Sequence, residues 1–280
     1  MKLQYLGTAA AEGIPALFCP CPICKEAARR GGKDLRFRTS ALVNDNLLID
    51  VSPDIYAQRL KFNLDLSNLR NIIVTHAHMD HFDREELEMF IEPCAHLPNR
   101  SPLNLYGSGF TNKVFDEYVH TALMNAPKLE GQVVFHVIAP FEPFEVEGVK
   151  VTALKAVHSC PESYIYLLEQ GDARLLYGND TGLFAEETWE YLAKKTNIPL
   201  TTVSLDSTMG KPESTYNGHM TFAQNIQTRD RMLKEGIATE NTRFICHHFS
   251  HNGLALQKEM EELMGPHHFE VSYDGKVVDV

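Results

Sequence analysis

The chain has 280 residues, 44% hydrophobic and 22% charged, the composition of an ordinary globular protein large enough to bury a sizeable core. Its formal net charge of −11 argues against a general nucleic-acid binder, because phosphate backbones need basic surface, although bound cations could reverse the local field for an anionic substrate. No run approaches the roughly 18 apolar residues of a membrane span, and MKLQYLGTAAAEG lacks the apolar core of a signal peptide, so the chain reads as cytoplasmic with no membrane partner.

Hydrophobic patterning lays out the elements in chain order. A strand at Lys2–Leu6 leads into GTAAAEGIPALFCPCPIC, where Cys19, Cys21 and Cys24 fall within six residues. In a reducing compartment such a cluster reads as metal binding or redox chemistry rather than a disulfide framework. Pro20 and Pro22 would stiffen the loop that carries it. Strands at Ala41–Val43 and Asn46–Val51 and a helix at Asp54–Phe62 precede a strand at Asn71–Thr75. Directly after that strand stand His76, His78, Asp80 and His81. A helix at Arg84–Ile91, a strand at Leu103–Tyr106, a helix at Asn112–Leu123 and a strand at Val133–Ile138 follow. Segment 83–131 is helix-rich and long for a connection, a lid-like insertion in a single domain spanning 1–280. Strands at Lys150–Val157, Ser163–Glu169 and Ala173–Tyr177 come next, then a helix at Glu186–Lys195 and a strand at Leu200–Leu205. The chain finishes with helices at Phe222–Glu235 and Leu254–Met264 and strands at Thr242–Cys246 and Phe269–Tyr273. Strands mixed with helices over the whole length imply an α/β sandwich.

Imidazole and carboxylate ligands together suit Zn, Mn or Fe. One cluster cannot saturate two ions, and three further candidates stand at other strand ends: His158, His248, and Asp180 between Gly178 and Gly182, which permit a tight turn. Each alone is an ordinary turn residue. Their recurrence after successive strands, always as ligand-compatible types, sets them apart. His96, His120, His136, His267 and His268 have no such setting and read as ordinary histidines. Cys94, Cys160 and Cys246 read as small buried side chains.

THAHMDH resembles the HxHxDH signature of the metallo-β-lactamase-fold hydrolases, and AVHS, GNDTG and HHFSH resemble that superfamily's later metal motifs, in the same order. The resemblance implies a four-layered αβ/βα sandwich with a dinuclear site along one edge. Motif by motif, it implies that His76, His78 and His158 bind one metal and that Asp80, His81 and His248 bind the other. Asp180 would bridge them, and Asp50 of LLIDV would orient the ligands from behind. The N-terminal segment is similar to the opening of the cyclic phosphodiesterases associated with carbon–phosphorus lyase, which carry an additional structural zinc. Here its ligands would be Cys19, Cys21, Cys24 and His251; three thiolates and one imidazole do make a closed tetrahedral zinc site. The same family places a catalytic histidine ahead of a helix, and NGHMTF offers His219. Asp80 and His219 are thus the catalytic candidates, Asp80 doubling as a ligand.

The expected function is a metal-dependent phosphodiesterase that hydrolyses small cyclic phosphate esters, ribose cyclic phosphates being the family's substrate class. Its cofactors would be two divalent transition metals, Mn or Zn with Fe as a further choice, and one structural Zn. A hydroxide held between the two ions would attack phosphorus, with His219 against the phosphoryl group. The expected partner is a small phosphate-ester substrate, and a homodimer is one arrangement the chain allows. Alternatives are a lactonase or thioesterase, which would direct the same metals at a carbonyl carbon, and a non-catalytic metal-binding accessory protein of cofactor biosynthesis. The chain departs from the superfamily after DH, where FDREELEMF lacks the early glycine and opens the lid-like segment.

Overall fold

The computed structural model describes residues 1–97, 101–121, 126–194 and 198–280. The strands in chain order are β1 (Lys2–Gly7), β2 (Ser40–Val43), β3 (Leu47–Ile49), β4 (Asn71–Ile73), β5 (Leu103–Gly107), β6 (Val133–Val137), β7 (Pro143–Val146), β8 (Val149–Lys155), β9 (Tyr164–Gln170), β10 (Ala173–Gly178), β11 (Thr202–Asp206), β12 (Arg243–His247), β13 (Phe269–Val271) and β14 (Val277–Asp279). The helices are α1 (Pro22–Arg30), α2 (Ile55–Phe62), α3 (Arg84–Leu87), α4 (Gly109–Thr121), α5 (Glu186–Ala193), α6 (Phe222–Lys234) and α7 (Gln257–Met264). Among the described residues the strands form two sheets of seven, in the orders β14-β1-β2-β3-β4-β5-β6 and β13-β12-β11-β10-β9-β8-β7.

Successive strand residues point to opposite faces, and both faces of each sheet are covered, so the inner strands are apolar throughout. In β10, Leu175 and Tyr177 face the other sheet while Leu176 faces the helices; in β1, Leu3 and Tyr5 point inward and Leu6 outward. The central cluster joins Ile49 and Ile73 of the first sheet to Val151, Leu168 and Ile245 of the second. Ile55 of α2, Leu87 of α3 and Phe115 of α4 cover the first sheet from outside. Trp189 of α5, Met232 of α6 and Met260 of α7 cover the second. Each such fully buried side chain contributes about 1.5–3 kcal/mol. The layers run helix, sheet, sheet, helix, which is the four-layered αβ/βα sandwich expected.

Buried hydroxyls lock the two sheets together. Tyr5 donates to Ser204 Oγ at 2.8 Å and Tyr166 to Val74 O at 2.6 Å, both tyrosines being fully buried. Tyr164 N donates to Thr75 O at 2.9 Å. The second sheet thus grips the chain just where the histidine cluster begins. Strands β3 to β6 are parallel, as are β10 to β13. The loops at their C-terminal ends gather along one edge, where open α/β sheets present ligand sites.

Several elements differ from the sequence reading, each for a local reason. Helix α1 starts inside the cysteine run, because proline is tolerated in the first turn and Cys21 caps it, its Sγ accepting from Cys24 N. Strands β7 and β14 are partly exposed sheet edges, short and without a continuous apolar run. Strand β3 stops at Ile49 because Asp50 turns to φ 65°, and α7 waits until Gln257 because Leu254 adopts φ 56°. The helices expected to reach Leu123 and Lys195 end there outside the described residues. Segment 83–131 supplies β5, which lies between β4 and β6, and its Leu87, Ile91, Leu105, Phe115 and Val119 are buried. Cys94 is exposed, whereas Cys160 and Cys246 are buried as expected.

Candidate metal centre

The histidine loop is clamped from behind. Asp50, fully buried at the end of β3, accepts from Thr75 N at 2.7 Å, and its Oδ2 lies 2.9 Å from Thr75 Oγ1 and 2.7 Å from His81 Nδ1. Burial pushes the Asp50 carboxyl up, and its contacts with His81 and Thr75 pull it back only in part. The loop then turns back on itself, with Phe82 N donating to His78 O at 2.8 Å. Phe82 is buried against Phe115 and Phe135, Val51 N donates to His81 O, and Asp83 N donates to Val51 O. With His81 Nδ1–H given to Asp50, its Nε2 is left facing the site, the usual arrangement of an imidazole ligand.

Around it the strand ends converge. His78 Nδ1 lies 3.0 Å from His76 Nε2 and 3.2 Å from His158 Nε2, so three imidazole nitrogens meet at one point. His158 is oriented from the far side by its Nδ1 against Gly218 O at 3.1 Å. Asp180, 3% exposed and held at φ 46°, stands between two groups. Its Oδ2 is 3.3 Å from His76 Nε2 and 2.6 Å from His81 Nε2, while its Oδ1 is 3.0 Å from His248 Nδ1. Asp80 Oδ2 completes the second group, 3.1 Å from His81 Nε2. The donor atoms of His76, His78 and His158, and those of Asp80, His81, Asp180 and His248, lie within 4.8 Å of one another in each group.

The residues present fit bound cations. His81 Nε2, His248 Nε2 and Asp180 Oδ1 are buried without a well-directed hydrogen bond, a costly arrangement unless something else meets them. Three imidazoles also cannot satisfy one another, since each neutral ring has a single N–H. Electrostatics agree with that reading. Burial opposes charge on His248, yet Asp180 and Asp206 outweigh it and push the imidazole up to about 10. Burial likewise opposes ionisation of Asp180, and His248 and His81 outweigh it, holding the carboxyl well below its usual range. His76, farther from compensating carboxylates, is pushed well below its ordinary value by burial and by the neighbouring His81.

His219 faces the same pocket, and its partner was not read from the sequence. Its Nδ1 is 2.8 Å from Asp206 Oδ2 and 3.5 Å from Asp180 Oδ1. Asp206 is fully buried at the end of β11 and also accepts from Thr208 N at 3.0 Å and Met220 N at 3.1 Å. Burial opposes the His219 charge, and Asp206 followed by Asp180 raises the imidazole above its ordinary value. The available signal for Asp206 was its place: VSLD ends a strand on the same edge as the other candidates. A pocket of about 410 Å³ opens over these groups, with Glu12, Ser159, Tyr216 and Asn252 among its lining. A larger groove of about 1060 Å³ along the cysteine loop reaches only Cys19 of the candidates, so volume alone does not mark the chemistry.

The cysteine cluster closes on His251 from the opposite end of the chain. Cys19 Sγ and Cys21 Sγ lie 3.7 and 3.4 Å from His251 Nδ1, and Ala16 N donates to Cys24 Sγ at 3.3 Å. The donor atoms of all four residues fall within 4.8 Å of one another. The Cys24 N–H, against some burial and with His251 assisting, holds the Cys21 thiol down at about 6, while burial pushes Cys24 up to about 12. Three sulfurs and one nitrogen with no open ligand position suit zinc. His96, His120, His136, His267 and His268 lie outside both clusters.

A model of the beta-lactamase superfamily domain matches residues 45–249. The chain is 25% identical over 281 residues to an octanoyltransferase of Porphyromonas gingivalis, the match covering 98% of this chain and 51% of that protein. It thus spans about half the length of that curated relative. Among solved structures, a diphosphatase from the PhnP family superposes with a TM-score of 0.75 at 22% identity, over 100% of this chain and 97% of the other. Zinc-bound PqqB from Methylobacterium extorquens superposes with a TM-score of 0.78 at 18% identity, over 100% of both chains. With that match over most of its length, and with His and Asp clusters suited to metals along one sheet edge, the chain belongs to the beta-lactamase superfamily and has the metallo-β-lactamase fold.

Proposed function

We propose that this protein is a dinuclear metal-dependent phosphodiesterase acting on small cyclic phosphate esters. The observation that carries the reading is Asp180, whose Oδ2 lies between His76 of one ligand group and His81 of the other while His219 stands beside it with a carboxylate partner of its own. His76, His78 and His158 would hold one ion and Asp80, His81 and His248 the other, with Asp180 shared. Cys19, Cys21, Cys24 and His251 would hold a structural zinc. Bound there, two divalent cations would lower the pKa of a water and neutralise charge building on phosphoryl oxygens. The chain's own contribution is positioning and proton handling. Asp50 fixes the His81 tautomer, Gly218 O fixes that of His158, and Asp206 fixes that of His219, whose Nε2 is then the atom available to a phosphoryl or leaving-group oxygen.

A second reading, hydrolysis of an acyl thioester, is favoured by the match of nearly the whole chain to a protein named octanoyltransferase. Protein reconstituted with Mn or Zn separates the two when assayed on cyclic phosphates and bis(p-nitrophenyl) phosphate beside an octanoyl thioester and a lactone. Diester turnover together with about two exchangeable ions supports the first reading. Thioester turnover with inert diesters replaces it by the second.

A further inference from the structure

One wall of the pocket above the ligand groups is an aromatic ring that neither stands among the ligands nor belongs to the core. Tyr216 is 44% exposed and is the one Phe, Tyr or Trp among the described lining residues. Its ring centroid lies 5.7 Å from that of His219, the two planes inclined at 48°. The ring rests on backbone that also serves the site. A Cβ on Gly218 would fall 2.5 Å from the Tyr216 hydroxyl and 2.7 Å from its Cζ, so the phenol lies directly on Gly218, whose carbonyl orients His158. The neighbouring Asn217 O packs as closely on Gly182, two residues beyond Asp180, where a Cβ would meet it at 1.7 Å. Close backbone packing thus keeps Tyr216 beside the site while nearly half of its surface stays open. Ala10, Ala11 and Met209 add apolar surface to the same lining.

We propose that Tyr216 is a specificity-determining residue whose ring packs against a ring of the ester group on the reacting phosphate, favouring ring-bearing esters over open-chain ones. The proposal rests on the phosphodiesterase reading. An aromatic face left in water gains from a rigid partner, sugar or base, that covers it in one piece. An open chain covers less of that face and gives up more conformational freedom in doing so. A volume of about 410 Å³ lies within the range of small-ligand sites and has room for such a ring beside the phosphate. Tyr216 touches no reacting atom in this arrangement. It orients the ester group, while His219 meets the phosphoryl group.

Equilibrium binding tests this apart from turnover. Uridine 3′-monophosphate, ribose 1-phosphate and glycerol 2-phosphate each carry one phosphomonoester, on a nucleoside, a bare furanose and an open chain. They are titrated calorimetrically into Mn-loaded wild-type, Tyr216→Ala, Tyr216→Leu and Tyr216→Phe proteins. The wild type should bind uridine 3′-monophosphate more tightly than glycerol 2-phosphate, and Tyr216→Ala should cut that preference by about five- to tenfold. Tyr216→Leu keeps apolar bulk over Gly218 but offers no ring, and should lose the preference likewise. Tyr216→Phe keeps the ring and should keep the preference. Ribose 1-phosphate then tells which ring is covered: a matching loss in Tyr216→Ala places the furanose on Tyr216, and no loss places the base there. An unmoved preference in Tyr216→Ala overturns the proposal even where bis(p-nitrophenyl) phosphate is hydrolysed, as does binding of none of the three by the wild type. Equal weakening of all three ligands also overturns it, because that is the mark of a residue that only supports the loop behind His158 and His219. Failure of fully loaded wild type to hydrolyse any diester overturns the phosphodiesterase reading itself.

Discussion

Asp274 tests whether the buried network behind the site carries the energy its geometry implies. Its side chain is 2% exposed and accepts from Thr8 Oγ1 and Phe37 N, each at 2.7 Å. Burial pushes the carboxyl up from an ordinary 3.8 to about 6, the hydrogen bonds and the charges of Arg36 and Lys61 offsetting only part of the cost. The folded protein therefore holds this proton more tightly than the unfolded chain. The resulting penalty is nearly absent at pH 4, grows as pH rises towards 6 and is complete above it. Its full size is about 3 kcal/mol, of which roughly 2 kcal/mol accrues between pH 4.5 and 8. Asp274→Asn removes the ionisation but keeps an acceptor for one donor; its amide opposes the other at a pH-independent cost of about 1–3 kcal/mol. Urea unfolding of both proteins should show the wild type's advantage shrinking by about 2 kcal/mol from pH 4.5 to 8. Taking the difference between the proteins cancels their common dependence on metal. An advantage that stays flat over that range would refute the argument.

His219→Ala should lower kcat on a cyclic or bis-aryl phosphodiester by about 10²–10⁴-fold with metal content unchanged, whereas His76→Ala should lose metal and activity together; wild-type turnover in His219→Ala would remove that residue from the chemistry. Asp180→Ala should release both exchangeable ions and keep the cysteine-site ion, as metal analysis would show. Cys21→Ser should lower zinc content and Tm in step, because structural zinc contributes directly to folding; wild-type values of both in the variant would contradict a structural site. In Gly182→Ala the new Cβ would fall 1.7 Å from Asn217 O, displacing the loop that carries His219. That variant should lose kcat, and full activity would show that the loop yields at no cost.

Composition and local pattern determined a good deal on their own. THAHMDH is contiguous, and four of its residues are ligand types after an apolar strand, so the cluster needs no tertiary knowledge to be seen. The same holds for CPCPIC and for the strands buried on both faces, whose hydrophobic runs leave little choice of element. What only the tertiary structure decided are the relations between distant segments. Asp206 is one carboxylate in an ordinary strand, TVSLD, and becomes notable only because the His219 loop folds back to within 2.8 Å of it. Edge strands β7 and β14 escaped notice because one face of each meets water and the apolar signal is halved. The helical pattern of segment 83–131 is visible in the sequence while the destination of its apolar face is not; Leu87, Ile91 and Phe115 pack beside Ile55 of α2 on the outer face of the first sheet. Residue type and local spacing are properties of the chain, whereas the field at a site depends on which groups folding brings within a few ångströms, and that is settled by packing.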